Sequence, residues 1–304
     1  MAHDHSHSHS VSPDDFNAAF AIGIALNTAY VLFEVVFGLI GHSLALLADA
    51  GHNLSDVLGL LLAWGASAMA KSAPTKRHTY GLRGSSILAA LFNAIFLLVS
   101  VGAIVWEALR RFKAPNEVAA NTVIWVSLIG IAINTATALM FRSGRNRDLN
   151  IRGAFLHMAA DAAISAGVVI AGFAILWTGF SWIDPVVSLV ISAVIIWGTW
   201  ELLRESTNLA LQAVPKSIET EKVESYLAQL PGVARVHDLH IWAMSTTETA
   251  LTVHLVKPDG NIDDGLLARV CDDLQRHFQI GHVTIQLECG SEAHPCKQAA
   301  DHAV

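Results

Sequence analysis

The sequence is poor in charged residues and in cysteine. Asp, Glu, Lys and Arg make up only 15% of its 304 residues, against about 25% in soluble domains. Its three cysteines, Cys271, Cys289 and Cys296, all lie near the C-terminus, and they are too few and too clustered for an extracellular disulfide framework. Acidic residues outnumber basic ones by 26 to 19, which argues against a nucleic-acid-binding surface. We therefore expect no nucleic-acid partner.

The chain is rich in apolar residues. Hydrophobic residues make up 53% of it and the mean hydropathy is +0.46, which excludes disordered and fibrous classes and argues against a water-soluble globule. Six apolar stretches are each long enough to cross roughly 30 Å of hydrocarbon as a helix. They span about residues 18–40, 44–70, 86–107, 121–141, 153–178 and 183–203. The sequence predicts an all-α bundle of six transmembrane helices embedded in the lipid bilayer.

The basic residues between these stretches predict the orientation in the membrane. The connections after the second and fourth stretches carry four Lys or Arg each, whereas those after the first and fifth carry none. The connection after the third stretch, with three, is the exception. Because positive charge favours the cytoplasmic side, both chain ends are expected in the cytoplasm. The first stretch has no cleavage signal after it, so we expect it to stay in the mature protein.

From about residue 205 the composition is that of a soluble domain. Helices are predicted over 218–229 and 263–278, and strands over 233–243, 249–256 and 282–288, from their periodicity and turn residues. The order αββαβ is typical of a small two-layer α/β domain. The predicted domains are an N-terminal tail over 1–15, a transmembrane domain over 16–205, a cytoplasmic domain over 206–290 and a C-terminal tail over 291–304.

Two apolar stretches carry ionisable residues, which cost at least ~2.5–3.5 kcal/mol each in hydrocarbon. The second contains Asp49, His52 and Asp56, and the fifth contains His157 and Asp161. Each His-x-x-x-Asp pair lies on one helix face. Two imidazoles and two carboxylates meeting at one point match a tetrahedral zinc site whose carboxylates cancel the ionic charge. Asp49 is a further candidate, either as a ligand for the entering metal ion or as a hydrogen-bond acceptor that orients the His52 ring.

Two alternatives to a metal site remain open for these pairs. They could form a proton relay, or hydrogen bonds that only hold helices together, but a second pair of the same type and spacing favours a metal ion. There is no phosphate-binding loop and no catalytic motif that pairs a Ser or Cys nucleophile with a histidine, so the pattern predicts a transporter rather than an enzyme. His and Asp exchange protons for metal, which predicts proton-coupled antiport by alternating access. A channel or a metal sensor without coupled flux is the alternative function.

The chain resembles the cation diffusion facilitator family, in particular its bacterial zinc, cadmium and cobalt branch, and zinc transporters of the animal type. The motifs that carry the resemblance are SLALLADA over 43–50, the two His-x-x-x-Asp pairs, VHDLHIW over 236–242 and HVTIQ over 282–286. The resemblance implies a homodimeric metal/proton antiporter of the bacterial inner membrane, with a ferredoxin-like cytoplasmic domain. It makes zinc the expected cargo, with cadmium and cobalt as further candidates. It assigns the transport site to His52, Asp56, His157 and Asp161.

The resemblance also implies regulatory zinc ligands in the cytoplasmic domain. The candidates are polar residues on its predicted strands, namely His237, His240, His254, His282 and Glu288. Solvated surface histidines are the alternative. Cys289 and Cys296 could form a thiolate site together with His294 and the N-terminal histidines, or be idle thiols. The segment with histidines at 3, 5, 7 and 9 is expected to gather cytoplasmic metal weakly, because ordering a flexible segment costs entropy.

The chain departs from the family pattern after the second helix. His78 is followed four residues later by Leu82 rather than by a second histidine, so we expect no metal site in this connection. Gly84 and Ser86 stand where relatives tend to carry a basic residue and a glutamate, which leaves Arg83 as the candidate for contacts with the cytoplasmic domain. A further set of carboxylates lies near the helix ends, where the side chains are expected to reach the membrane interface. It comprises Glu34, Glu107, Asp184 and Glu201.

Overall fold

The computed structural model describes residues 13–70, 72–114, 116–141, 149–260, 264–291 and 295–298. For 13–24, for several residues between 60 and 70, and for 140–141 and 149–157, it describes the backbone alone. The N-terminal histidines and His294 lie outside the described residues.

Six long helices follow one another along the first two thirds of the chain, as predicted. They are α1 (Pro13–Ile40), α2 (Leu44–Ala70), α3 (Ser85–Arg111), α4 (Ala120–Phe141), α5 (Leu149–Thr178) and α6 (Ile183–Ala210). Among the described residues, four segments are long and apolar enough to span a membrane: α3, α6, Ala120–Leu139 of α4 and Met158–Thr178 of α5. The chain turns between α1 and α2 at His42, which adopts a φ of 52°.

Exposed tryptophans occur near the ends of the apolar stretches of these helices. One group lies at the end of the bundle where α3 and α5 finish and α4 and α6 begin, and a second lies in the second half of α6, shortly before its apolar stretch ends at about residue 203. The two groups are Trp106, Trp125, Trp177 and Trp182, and Trp197 and Trp200. Tryptophan is enriched where a membrane meets water, because its ring is apolar and its N–H is polar. The two groups are therefore typical of the two interfaces of a multi-pass membrane protein.

Residues up to Leu60 and Asn93–Trp200 form one compact unit. Its core is built from buried aliphatic residues of five helices together with Tyr30 of α1. They include Leu46, Ala48, Leu97, Val101, Val123, Val126, Val168, Ile191 and Ile195. Small residues let α2 lie deep in this unit, where Ala45 and Ala48 are at most 1% exposed.

Leu61–Phe92 and the chain from Glu201 onwards form a second compact unit. After α6 come α7 (Thr220–Ala228), β1 (Arg235–Ala243), β2 (Thr249–Val256), α8 (Asp264–Phe278) and β3 (His282–Glu288). The sheet has the order β1-β2-β3, with β1 antiparallel and β3 parallel to β2. Val223, Leu227, Leu251 and Leu274 belong to its buried apolar core. The predicted αββαβ order is confirmed.

Candidate metal sites

The first candidate site lies where α2 and α5 cross. His52 Nδ1 is 3.8 Å from Asp56 Oδ2 on the next turn of α2. His52 Nε2 is 3.4 Å from Asp161 Oδ1 of α5. One ligand atom from each of the three residues lies within 4.8 Å of the other two. Ligand atoms of a tetrahedral zinc ion with bonds of ~2.0–2.1 Å are about 3.3 Å apart, so these side chains need to move little to share one ion.

The fourth predicted ligand, His157, lies in α5 one turn before Asp161, and its side chain is outside the described residues. Two contacts define the register of the helices. His52 lies next to Asp161, and Asp49 Oδ2 accepts a hydrogen bond from Ser165 Oγ at 3.0 Å. The earlier residue of α2 thus contacts the later residue of α5, so the two helices run antiparallel. One turn forward along α2 therefore corresponds to one turn back along α5. The backbone thus brings position 157 to the level of Asp56 in α2.

Two buried carboxyl groups lie beside this site without joining it. Asp49 is fully buried against Ser165 and is not among the grouped ligand atoms. Glu34 accepts hydrogen bonds from Tyr30 Oη at 3.0 Å and from Asn53 Nδ2 at 3.4 Å. The prediction that Glu34 reaches the membrane interface is wrong, since it is 0% exposed. Its hydrogen bonds with Tyr30 in α1 and with Asn53 in α2 take the place of interfacial water.

A second candidate site lies on the sheet of the cytoplasmic domain. His237 and His254 are cross-strand partners on β1 and β2. His237 Nε2 is 3.1 Å from Glu288 Oε2, and His254 Nδ1 is 3.0 Å from Glu288 Oε1. Cys296, beyond β3, places its Sγ 3.6 Å from His254 Nδ1. Ligand atoms of the four residues lie within 4.8 Å of one another, so two imidazoles, a carboxylate and a thiol are available to one ion.

A β-bulge shapes the polar face at this site. The register of β1 shifts between His237, opposite His254, and His240, opposite Thr252. Strict alternation would put His237 and His240 on opposite faces, and the extra residue of the bulge brings both to the same one. Asp238 in the bulge has a φ of 51°, and its Oδ2 lies 3.4 Å from His254 Nε2. Sequence reasoning missed Asp238; the acidic residue between two strand histidines was the available signal.

Contacts at this site shift the pKa values of Glu288 and Cys296. Burial raises the pKa of Glu288, but hydrogen bonds from Cys296 and His237 outweigh it and hold that pKa below its ordinary value. A backbone hydrogen bond at Gln298 lowers the pKa of Cys296. The hydrogen bond from the thiol to Glu288, burial and nearby carboxylates outweigh that effect, so the pKa of the thiol lies above its ordinary value. A metal ion must therefore displace the thiol proton before sulfur can bind it.

The other two cytoplasmic candidates lie outside this cluster. His240 points its Nε2 at Asp238 Oδ1, 3.0 Å away. His282 begins β3 and Glu288 ends it, so six residues, about 20 Å of extended chain, separate them. The ring of His282 packs edge-on against Tyr80 at a centroid distance of 5.3 Å. The alternation of β3 predicts the correct face for His282 but not its distance from the other ligands.

The connection after α2 contacts the hairpin between β1 and β2. Arg83 Nη1 lies 2.8 Å from Glu248 Oε1, and the Thr246 N–H donates to Ser86 Oγ at 3.1 Å. The ion pair is partly exposed, so it contributes at most about 1 kcal/mol. His78 is in neither group of metal-ligating residues found among the described residues. Arg83 and Ser86 thus connect this segment to the hairpin between β1 and β2.

Comparisons with known proteins identify the family of this chain. The model of the cation efflux transmembrane domain matches residues 20–209, and that of the cytoplasmic domain of cation efflux proteins matches 215–289. The metal cation efflux system protein CzcD of Cupriavidus metallidurans is 36% identical over 300 residues, covering 98% of this chain and 93% of the relative. The zinc transporter ZitB of Escherichia coli is 37% identical over 293 residues, covering 95% and 93%.

A third relative is named a cadmium, cobalt and zinc/H⁺-K⁺ antiporter, from Bacillus velezensis. It is 31% identical over 303 residues, covering 97% of this chain and 94% of the relative. All three relatives thus align along nearly the full length of both chains. With the two domain matches, these alignments establish that the chain belongs to the cation efflux family.

Proposed function

We propose that the chain exports divalent metal ions, zinc foremost, across a bacterial cytoplasmic membrane in exchange for protons. The observation that carries the proposal is the convergence of His52, Asp56 and Asp161 where two apolar helices cross. Ionisable side chains are expensive in transmembrane helices and mark ion pathways there. The names of the relatives, which include metal cation efflux and zinc transport, support the same function.

Proton exchange follows from the chemistry of the proposed ligands. A metal ion binds neutral imidazole and ionised carboxylate, so its arrival displaces protons, and returning protons displace the metal. With His157 as the fourth ligand, the two carboxylates of Asp56 and Asp161 neutralise a doubly charged ion. That neutrality is needed because an uncompensated charge is costly in low dielectric. A relative named as an H⁺ antiporter supports the coupling.

The proposed cargo follows from the donor atoms. Imidazole nitrogen mixed with carboxylate oxygen suits zinc and related transition ions, whereas an all-oxygen set would suit magnesium or manganese. Cadmium and cobalt are proposed as further cargo, since both are named with zinc for the Bacillus relative.

The proposed assembly is a homodimer with both chain ends in the cytoplasm. The family model that matches residues 215–289 is named for a dimer. The basic residues in the connections after α2 and α4 support the orientation, because positive charge is retained on the cytoplasmic side.

The cluster on the sheet gives the cytoplasmic domain a proposed regulatory role. Zinc shared by His237, His254, Glu288 and Cys296 would join the segment after β3 to all three strands. Occupancy of this site would then depend on cytoplasmic zinc. The same cluster is the observation that favours a membrane metal sensor as the second candidate function.

Transport in reconstituted liposomes tests the proposed function. An imposed pH gradient should drive zinc to accumulate against its own concentration gradient, with protons moving the opposite way. A protonophore that collapses the gradient should stop the accumulation, and protein-free liposomes provide the control. Downhill zinc flux that never becomes uphill would indicate a channel. Zinc binding without flux would indicate a sensor, and either result would overturn the antiporter.

A further inference from the structure

A buried carboxylate joins the first turns of α2 and α6. Asp184, at the start of α6, is 1% exposed. It accepts hydrogen bonds from Ser43 Oγ at 2.5 Å, from the Leu44 N–H at 2.7 Å and from the Ala45 N–H at 3.3 Å. The first N–H groups of a helix lack partners within it, and a carboxylate near them is also favoured by the helix dipole. The prediction that Asp184 lies at the interface is thus wrong, because these donors replace water.

Arg111, the last residue of α3, completes this cluster, which we call the Asp184 clasp (Ser43, Arg111 and Asp184). Arg111 Nη1 is 3.7 Å from Asp184 Oδ2 and also donates to the carbonyl oxygen of His42. The side chain of Arg111 is only 10% exposed. A buried charge is tolerated when it is paired and hydrogen-bonded, and here each charge has both. The clasp therefore ties three helix ends together at the start of α6.

Between the clasp and the metal ligands, residues of α2 are buried. Leu44, Ala45 and Ala48 are at most 2% exposed. The side chains of His52 and Asp56, further along the helix, are 20% and 31% exposed. The nine residues from the clasp to His52 correspond to about 13 Å of helix. An ion at the site is thus separated from the clasp end by packed side chains.

We propose that Asp184, acting through Ser43 and the backbone of α2, is a positioning residue that keeps the transporter closed at this end, and that the clasp must open to release metal there. The proposal rests on the transport function proposed above. All three hydrogen bonds end on one carboxylate, so a shift of α2 by a few ångströms breaks them together. Such an element has two discrete arrangements rather than a continuum. Because α2 carries His52 and Asp56, its shift also moves the metal ligands.

Thiol labelling in intact cells tests this inference without relying on transport. Ala48 is 0% exposed. A cysteine in its place reacts with a membrane-impermeant maleimide only when this part of α2 is accessible from outside the cell. The full-length chain with its three native cysteines measures the background. The Ala48→Cys chain should label slowly. Adding Asp184→Ala should raise the rate at least about 10-fold, with a smaller rise for Ser43→Ala and for Asp184→Asn, which keeps one acceptor oxygen.

Ser188→Ala is the matched control for Ser43→Ala. Ser188 is buried on α6, and its hydroxyl has no hydrogen-bond partner among the described residues, so its removal should leave labelling unchanged. If the Asp184→Ala chain fails to reach the membrane, the labelling rates of Ser43→Ala and Asp184→Asn test the inference instead. Unchanged labelling in the clasp variants overturns the inference, as does an equal rise in Ser188→Ala. Faster labelling in a chain that transports nothing supports the clasp and contradicts the transport function instead.

Discussion

Asp161→Ala reduces proton-driven zinc accumulation to the level of protein-free liposomes. The substitution removes one of two carboxylates that neutralise the ion, so a bound zinc would keep a net charge at the crossing of α2 and α5. It also deprives His52 Nε2 of a carboxylate oxygen 3.4 Å away. Leaving the charge of a buried ion uncompensated costs about 3–5 kcal/mol, equivalent to a loss of at least two orders of magnitude in zinc affinity. Zinc flux in liposomes made with the purified variant measures the effect.

Asn134→Ala provides the control for loss of a buried polar side chain. Asn134 is buried in α4 and its amide has no hydrogen-bond partner among the described residues. This variant should accumulate zinc at a rate close to that of the unaltered chain. Asp161→Ala protein must elute as a folded species in detergent for the comparison to hold. Zinc accumulation by folded Asp161→Ala at the parental rate would remove Asp161 from the transport site.

Cys296→Ser abolishes the thiolate signature of metal bound to the cytoplasmic domain. Cobalt bound with a sulfur ligand absorbs through thiolate-to-metal charge transfer, and Cys296 is the thiol grouped with His237, His254 and Glu288. Because the pKa of Cys296 lies above its ordinary value, the thiol is protonated at neutral pH, and metal affinity should rise with pH as its proton becomes easier to displace. Cobalt titrations of the full-length protein at several pH values measure both effects.

Cys289→Ser is the matched control, since Cys289 is exposed and lies outside the grouped ligands. It should keep the charge-transfer absorption, whereas His254→Ala should lose the site altogether. Cys296→Ser should also flatten the rise of affinity with pH. A charge-transfer band that survives Cys296→Ser but disappears in Cys289→Ser would show that the wrong thiol was assigned.

The local elements could be predicted from the sequence because each depends on a short-range pattern. The apolar runs define α1–α6, and alternation defines β2 and β3 with the bounds that the structure gives them. The pairing of His52 with Asp161 was also predictable, because the cost of ionisable groups in an apolar helix leaves few alternatives.

Features that depend on distant partners could not be predicted. Asp184 and Glu34 look like interfacial carboxylates from their positions near the ends of apolar runs, and only the packing of other helices provides their buried donors. Asp238 acquires its position from a bulge, which the alternation of β1 does not signal. Cys296 contacts His254, a residue 42 positions earlier in the sequence, because the chain after β3 folds back onto the sheet.

X-ray absorption at the zinc edge tests the transmembrane site most directly. The sample is the full-length chain with His254→Ala and Cys296→Ser, so that the cytoplasmic cluster no longer binds zinc. We predict about one zinc per chain, with only nitrogen and oxygen neighbours at ~2.0–2.1 Å, and loss of this zinc when Asp161→Ala is added. A sulfur neighbour at ~2.3 Å, or zinc that stays bound with unchanged neighbours after Asp161→Ala, would contradict the account.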